Sequence, residues 1–450
     1  MIHLTLIEYN MFYDYQVSQS MEYQNTIQVY DEEKENVYSI INKIINDGEQ
    51  KEGFFLCNVN ELILKYREWK RLFPNVDPFY AVKCNDSRIV LEIIAALGLG
   101  FSCVSKEEIR RIISLNVPAN KIIFANPTKK ISHIVYAATE GVDLLTFDNE
   151  HELYKISDCH PSSKLIMRVC TKEPNNNGVI RKFGALPGQE VHHLLTVAKS
   201  LNLNVVGVVF HVENPQNIEE YTRAIEITKM VFNTGQELGY NFNIVDIGGG
   251  FSGAHEGDIT NVAEIIRSSL SYYFQGNEVK FVAEPGRYFV ETAFKLVSYI
   301  HSKRTMSDGI RMYHLDIGVY SGLAPIIFKR FFTCKPLQKE MSEPLYPSIL
   351  WGPTCDSTDK ISEDIDYLPL MDIGEWFIFE NTGAYTLPIT YEFNGFTLPA
   401  IHSVISKSNW LYILENASVP VKKSKFIFGN SMEIYMSGLN NPYIFNRLYY

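Results

Sequence analysis

Residues 78–87 read PFYAVKCNDS, an apolar run that delivers one lysine, Lys83, to the edge of a polar turn. Pro78 to Val82 has the length and composition of a short buried strand. A lysine in that place is either a solvated surface group or a partly buried amine able to attack a carbonyl or form a Schiff base. The second reading suits a strand whose C-terminal end opens on a catalytic mouth, as strands do in barrel enzymes. The stretch alone leaves both readings open.

Similar runs recur on either side: GFFLCNV, GFSCV, KIIFAN, DLLTF, KLIMRV, NVVGVVFHV, NIVDIGG and VKFVAEPG. Amphipathic segments such as SRIVLEIIAALG and NIEEYTRAIEITKMVFNTGQELG separate them. About eight strand-helix repeats over roughly 240 residues predict an α/β fold, a (β/α)8 barrel over residues 53–290. A doubly wound open sheet is the alternative. After residue 290 the texture changes to aromatic and β-branched segments broken by Gly, Pro and Asn, such as EWFIFENTGAYT and WLYILE. That predicts an all-β domain over 291–450. Residues 1–52 are polar and irregular around a short acidic helix in YDEEKENVYSIINKII, and are expected to join the β domain in part.

A chain of 450 residues exceeds one ordinary core, in line with two domains. The net charge of −11 offers no polybasic footprint, which argues against nucleic acid and anionic membrane as partners. No run of about 18 apolar residues is present to span a membrane. The opening MIHLTLIEYNMFYDYQ lacks the basic start of a signal peptide, so the cytosol is the expected compartment. Seven cysteines (Cys57, Cys84, Cys103, Cys159, Cys170, Cys334, Cys355) are irregularly spaced with no Cys-x-x-Cys pair. They predict neither a disulfide framework nor a metal site. Six read as small buried groups, and Cys355 is the exception.

Two late motifs bear on Lys83. DIGGGFSG at 246–253 ends a strand with Gly248, Gly249 and Gly250, where bare backbone N–H groups can approach an anion, although a tight turn also explains three glycines. AEPGRY at 283–288 supplies Glu284, Gly286 and Arg287 at another strand end. In a barrel these are the ends of the seventh and eighth strands, a common phosphate site. Arg287 is a charge-assisted donor for a phosphate, and Glu284 a partner for a ring nitrogen. A surface salt bridge between the two is the other reading. An amine on an early strand, an anion cradle on late strands and a carboxylate for a ring nitrogen together match the needs of pyridoxal 5'-phosphate. Beside such a ring, His211 in FHVENP is a stacking group; otherwise it is a hydrogen-bonded core histidine. WGPTCDSTD at 351–359 presents Cys355 and Asp356 on a turn, with buried filler the alternative for the cysteine.

PFYAVKCNDS, DIGGGFSG, AEPGRYFV, WGPTCD and ENTGAYT, in this order and spacing, resemble the eukaryotic ornithine decarboxylases over residues 50–400. These are fold-type III pyridoxal-phosphate decarboxylases, and their family includes catalytically dead antizyme inhibitors. The resemblance implies that Lys83 carries the cofactor and Glu284 holds the pyridine nitrogen protonated. It implies that Gly248, Gly249, Gly250, Arg287 and Tyr385 surround the phosphate, that His211 stacks on the ring, and that Arg168 positions the cofactor. It also implies that Glu108 in SKEEI supports the site. It further implies that Cys355 returns a proton to Cα and that Asp356 binds the distal ammonium of the substrate, both from the partner subunit of a head-to-tail homodimer. The implied reaction is ornithine to putrescine, in polyamine biosynthesis, with an antizyme-like regulator as a further partner.

Three departures from the family pattern stand out. Ser102 stands where the active enzymes usually carry Asp. Asn214 replaces a phosphate-contacting Ser, an exchange worth about 1 kcal/mol because an amide still donates. In GVYSGLAPIIFKRFF, Phe328 and Lys329 take the places of a Tyr-Asp pair that fixes the distal amine, and the stretch holds no acid. A lysine about 4 Å from a substrate ammonium is repulsive by roughly 1–4 kcal/mol. The chain keeps Arg287 and Tyr385, so the cofactor site is largely intact while the substrate pocket is altered. A non-catalytic antizyme-inhibitor-like role, or a decarboxylase for an amino acid with a neutral or acidic distal group, are the alternatives.

Overall fold

The computed structural model describes residues 26–48, 50–171, 182–212, 217–254, 259–276 and 278–421, and the backbone of 426–428. The chain divides into two compact units. One takes the described residues of 64–86 and 94–291, the other those of 1–63, 87–93 and 292–450.

The first unit is built on a closed barrel of eight parallel strands. They are β1 (Val76–Ala81), β2 (Gly100–Cys103), β3 (Ile122–Phe124), β4 (Leu144–Phe147), β5 (Lys164–Arg168), β6 (Asn204–Val209), β7 (Ile244–Asp246) and β8 (Lys280–Ala283). β8 closes on β1, with Phe281 opposite Val76 and Ala283 opposite Pro78, which rules out the open sheet. Phe79, Ile123 and Val282 pack together, backed by Leu144 and Ile244. Gly100 is the register partner of Phe79, and a Cβ there would lie 2.4 Å from the phenyl ring. Helices between the strands start on side-chain caps: Ser105, Asn149 and Asn217 each accept a first-turn backbone N–H.

Eight of the nine apolar runs are the barrel strands. GFFLCNV is not. Phe54–Asn58 pairs antiparallel with Phe294–Val297 and parallel with Ala400–Val404, in the second unit. Phe54, Phe55, Leu56 and Cys57 are all fully buried. A five-residue run buried on both faces looks alike in a barrel and in the middle of a covered sheet.

The second unit is mostly sheet, ten strands among the described residues. Ile27–Tyr30 lies parallel to Ser403–Ser406, and the long strand Phe294–Thr305 pairs with Phe54–Asn58, Arg311–Leu315 and Trp376–Phe379. Phe54, Leu56, Val297, Ile378 and Val404 form its core with Ile40 and Ile41 of the helix Val37–Asn46. Asn36 and Ser39 close a reciprocal capping box on that helix. A second helix, Lys407–Asn416, follows the strand Ala400–Ser406. No described helix is long and apolar enough to cross a membrane.

Candidate active site

A closed parallel barrel presents all its strand ends on one side. Lys83 lies in the turn Val82–Cys84 directly after β1, and Ser102 is in β2. Arg168 ends β5, and His211 follows β6 by two residues. Gly248–Gly250 follow β7 and Glu284 follows β8 immediately. The predicted seventh and eighth strands are therefore where the sequence motifs put them.

The glycines are required by close approach. Gly248 has φ +67°, and a Cβ on it would lie 2.1 Å from Phe210 O and 2.5 Å from His211 Nδ1. A Cβ on Gly249 would lie 2.4 Å from Glu284 O, and one on Gly286 2.8 Å from Cys84 Cβ. Backbone bonds lock these turns together: Glu284 N donates to Gly248 O at 2.6 Å and Ala81 N to Pro285 O at 3.2 Å.

Glu284 is 7% exposed, and burial raises its proton affinity. The charges of Lys83 and Arg168 oppose that rise, as does the Ser102 hydroxyl. His211 Nε2 stands 3.4 Å from Glu284 Oε2. Burial first, then the charges of Arg168 and Lys83, push the imidazole down to about 3, so it is neutral. Arg168 faces Glu284, Asp148 and Asp246, and its guanidinium lies 5.1 Å over the Phe183 ring. Glu108, raised by burial, accepts from Val104 N at 2.6 Å and feels the charge of Lys83. Of the two readings left open for Lys83, the structure shows the exposed one. The apolar run ends one residue before it, and the 3-10 turn carries the side chain out of the packed layer.

Arg287 does not pair with Glu284. Its Nη1 donates to Glu291 Oε1 at 2.9 Å, one helical turn on. Glu291 Oε2 accepts from Gly253 N at 2.8 Å and Ala254 N at 3.1 Å. One buried carboxylate thus ties the arginine to the loop beyond the glycine triplet. Neither Glu291 nor Asp246 was singled out by sequence reasoning. The i,i+4 spacing of Arg287 and Glu291 was the available signal. Asn214 lies outside the described residues.

Cys355, Asp356, Phe328, Lys329 and Tyr385 belong to the second unit. Cys355 is exposed, and its thiol donates to Asn394 Oδ1 at 3.8 Å. Asp356 Oδ1 accepts from Thr358 N at 2.7 Å and Thr358 Oγ1 at 2.8 Å, which hold its carboxyl below the usual range. Tyr320 bonds the same threonine and packs its ring 4.4 Å from Phe393. The turn is shaped by buried Asp359, which accepts from Val319 N and from Thr354 N and Oγ1 at 2.7–3.0 Å. A Cβ on Gly318 or Gly352 would collide with its carboxylate. Lys329 caps the 3-10 turn Ala324–Phe328 with φ +58°, and both it and Phe328 are exposed. Tyr385 also has positive φ, +60°, beside Thr386, which donates to Thr382 O.

Residues 59–291 match the family described as pyridoxal-dependent decarboxylase, pyridoxal binding domain. Antizyme inhibitor 2 of Xenopus laevis is 38% identical over 389 residues, 82% of this chain and 85% of that protein. Ornithine decarboxylase of Rattus norvegicus is 38% identical over 388 residues, 81% and 83% of the two chains. Among solved structures, the arginine decarboxylase of Paramecium bursaria Chlorella virus bound to agmatine superposes with a TM-score of 0.76 at 35% identity. It covers 82% of this chain and all of that one. With its closed barrel, its glycine cradle and these relatives, the chain belongs to the pyridoxal-dependent decarboxylases of the ornithine, arginine and lysine decarboxylase type.

Proposed function

We propose that the protein decarboxylates L-ornithine to putrescine with pyridoxal 5'-phosphate, as a head-to-tail homodimer. The observation that carries the reading is the grouping of Lys83, neutral His211 and buried Glu284 around a glycine cradle at the barrel mouth. These residues fit the cofactor: backbone that a Cβ would obstruct suits a phosphate, and a buried carboxylate suits a ring N–H. When bound, pyridoxal phosphate supplies an electron sink for the pair left at Cα when carbon dioxide departs.

Lys83 presents the amine that anchors the cofactor, and its exposure leaves it accessible to both cofactor and substrate. The N–H groups of Gly248–Gly250, with Arg287 and Tyr385, hold the phosphate, joined by Asn214. A neutral His211 stacks its face on the ring without competing for Glu284, which stays an anion against the ring nitrogen. Arg168 holds Glu284 in place, and Glu108 balances the charge of Lys83. The Cys355 thiol of the partner subunit delivers a proton to Cα, and the partner's Asp356 receives the distal ammonium. An antizyme-like protein is the proposed regulator, and the cytosol the proposed compartment.

A second reading rests on Phe328 and Lys329, which leave no acid in that stretch to grip a distal ammonium. It makes the chain either a decarboxylase for amino acids with neutral or acidic ends or a non-catalytic counterpart of antizyme inhibitors. Release of carbon dioxide from ornithine, lysine, arginine and acidic amino acids distinguishes these. Borohydride reduction and peptide mapping are expected to put the pyridoxyl label on Lys83. A label elsewhere, or full activity in Lys83→Ala, overturns the assignment.

A further inference from the structure

Asp246 is 1% exposed at the end of β7. Its register partner on β8 is Val282, so Glu284, two residues on, leaves the strand on the same face. Asp246 Oδ1 accepts from Gly248 N at 2.8 Å, which fixes the side chain across the start of the glycine triplet. Oδ2 is buried and receives no donor among the described residues. It faces Glu284, another buried carboxyl. Two ionised carboxylates cannot bond each other, and a buried oxygen without a donor is costly. One proton on Oδ2 resolves both problems, because it turns the orphan acceptor into a donor aimed at Glu284.

We propose that Asp246 is a positioning acid whose neutral carboxyl donates from Oδ2–H to Glu284 and holds Glu284 as the anion that meets a ring N–H. The pair then shares one proton and carries one negative charge. The surrounding charges favour this division. Arg168 faces both carboxyls, with Asp148 as a competing anion, while Lys83 adds its charge at Glu284 and neutral His211 lies 3.4 Å from it. Burial and the neighbouring Glu284 raise Asp246 well above the ordinary carboxyl range. A hydrogen bond received from a neutral acid lowers the basicity of Glu284, so a proton shared with a ring nitrogen stays on the ring.

The inference rests on Glu284 as the partner of the ring nitrogen, but its first test does not need the cofactor. Infrared difference spectra of the full-length protein near neutral pH, before pyridoxal phosphate is added, report protonated carboxyls directly. The parent is expected to show the carbonyl stretch of a buried carboxylic acid that is missing in Asp246→Asn. Identical spectra for the two proteins overturn the proposal. The second test is pyridoxal phosphate affinity. The amide of Asp246→Asn still donates to Glu284 and is expected to stay within about threefold of the parent, whereas Asp246→Leu is expected to lose on the order of tenfold or more. Equal losses in both variants, with both folded, show that the carboxyl serves packing alone. If no variant binds the cofactor, the failure lies with the proposed function, and the infrared arm still decides the protonation.

Discussion

His211 Nε2 lies 3.4 Å from Glu284 Oε2, while Nδ1 donates to Phe210 O at 2.8 Å. A neutral imidazole beside a carboxylate is the result, because burial and two nearby cations disfavour a third positive charge. The unfolded chain binds a proton at His211 near 6.5, and the folded one only near 3. Over that interval the unfolded state holds more protons, so stability falls as pH drops from about 6.5 toward 3. Denaturation of the full-length protein at a series of pH values should show this fall, and His211→Gln should weaken it. Equal pH slopes in the two proteins mean that the ring is charged in the folded state.

Ring stacking gives His211 a second readout. Face-to-face contact with a flat ring is worth about 0.5–1.5 kcal/mol beyond area burial, or roughly 2- to 12-fold in affinity. His211→Ala should lose cofactor affinity by about that factor, and His211→Phe should recover most of it. A His211→Phe variant as weak as His211→Ala shows that a ring nitrogen, rather than the ring face, does the work.

Glu291 provides a test on the phosphate side. Glu291→Ala removes the 2.9 Å partner of Arg287 and the acceptor of Gly253 N and Ala254 N. Charge-assisted bonds of this kind contribute about 1.5–3 kcal/mol each, so pyridoxal phosphate affinity should fall by 10-fold or more. Glu291→Gln keeps an acceptor without the charge and should fall between. Unchanged affinity in both variants means that Arg287 is aimed by other contacts.

The contrast between Glu291 and Lys83 explains what a linear sequence conveys here. Lys83, His211 and Glu284 are legible because each ends an apolar run, and parallel strands project such ends to one side. Asp246 looks like the polar close of a strand, and nothing in DIGGG says that its second oxygen meets another carboxyl. Phe54–Asn58 shows the same limit for the fold. Its composition demands burial on both faces but does not choose between barrel and sheet, since pairing with Phe294–Val297 is a long-range contact. The exposure of Lys83 depends on a 3-10 turn that begins one residue earlier, a detail below the resolution of periodicity.

Cys355 and Asp356 are expected to act on the Lys83 site of the partner subunit. Separately inactive Lys83→Ala and Cys355→Ala proteins, when mixed, should regain about a quarter of the native sites if subunits exchange randomly. Mixing before and after a denature-and-refold cycle, with exchange followed by mass-tagged chains, makes the measurement. Exchange without any return of activity places both residues in the same subunit's site.

The altered pocket yields the last prediction. Lys329 is exposed at the end of the 3-10 turn Ala324–Phe328, and the stretch from Gly318 to Phe332 contains no acid, which leaves Asp356 alone to receive a distal ammonium. Losing one of two carboxylate contacts to an ammonium costs about 1.5–3 kcal/mol, or roughly 10–150-fold in affinity. An enzyme that uses ornithine through this pocket should therefore have a high KM for it. Phe328→Tyr combined with Lys329→Asp restores the pair, and the backbone tolerates it, because Asp accepts the left-handed φ of +58° better than Lys does. KM for ornithine should fall at least about tenfold, with little change in kcat, since a contact remote from Cα acts on ground and transition states alike. Steady-state kinetics on ornithine, lysine and acidic amino acids check this. A native enzyme with low KM for ornithine, made worse by the double substitution, means that Lys329 faces something other than the substrate's distal end.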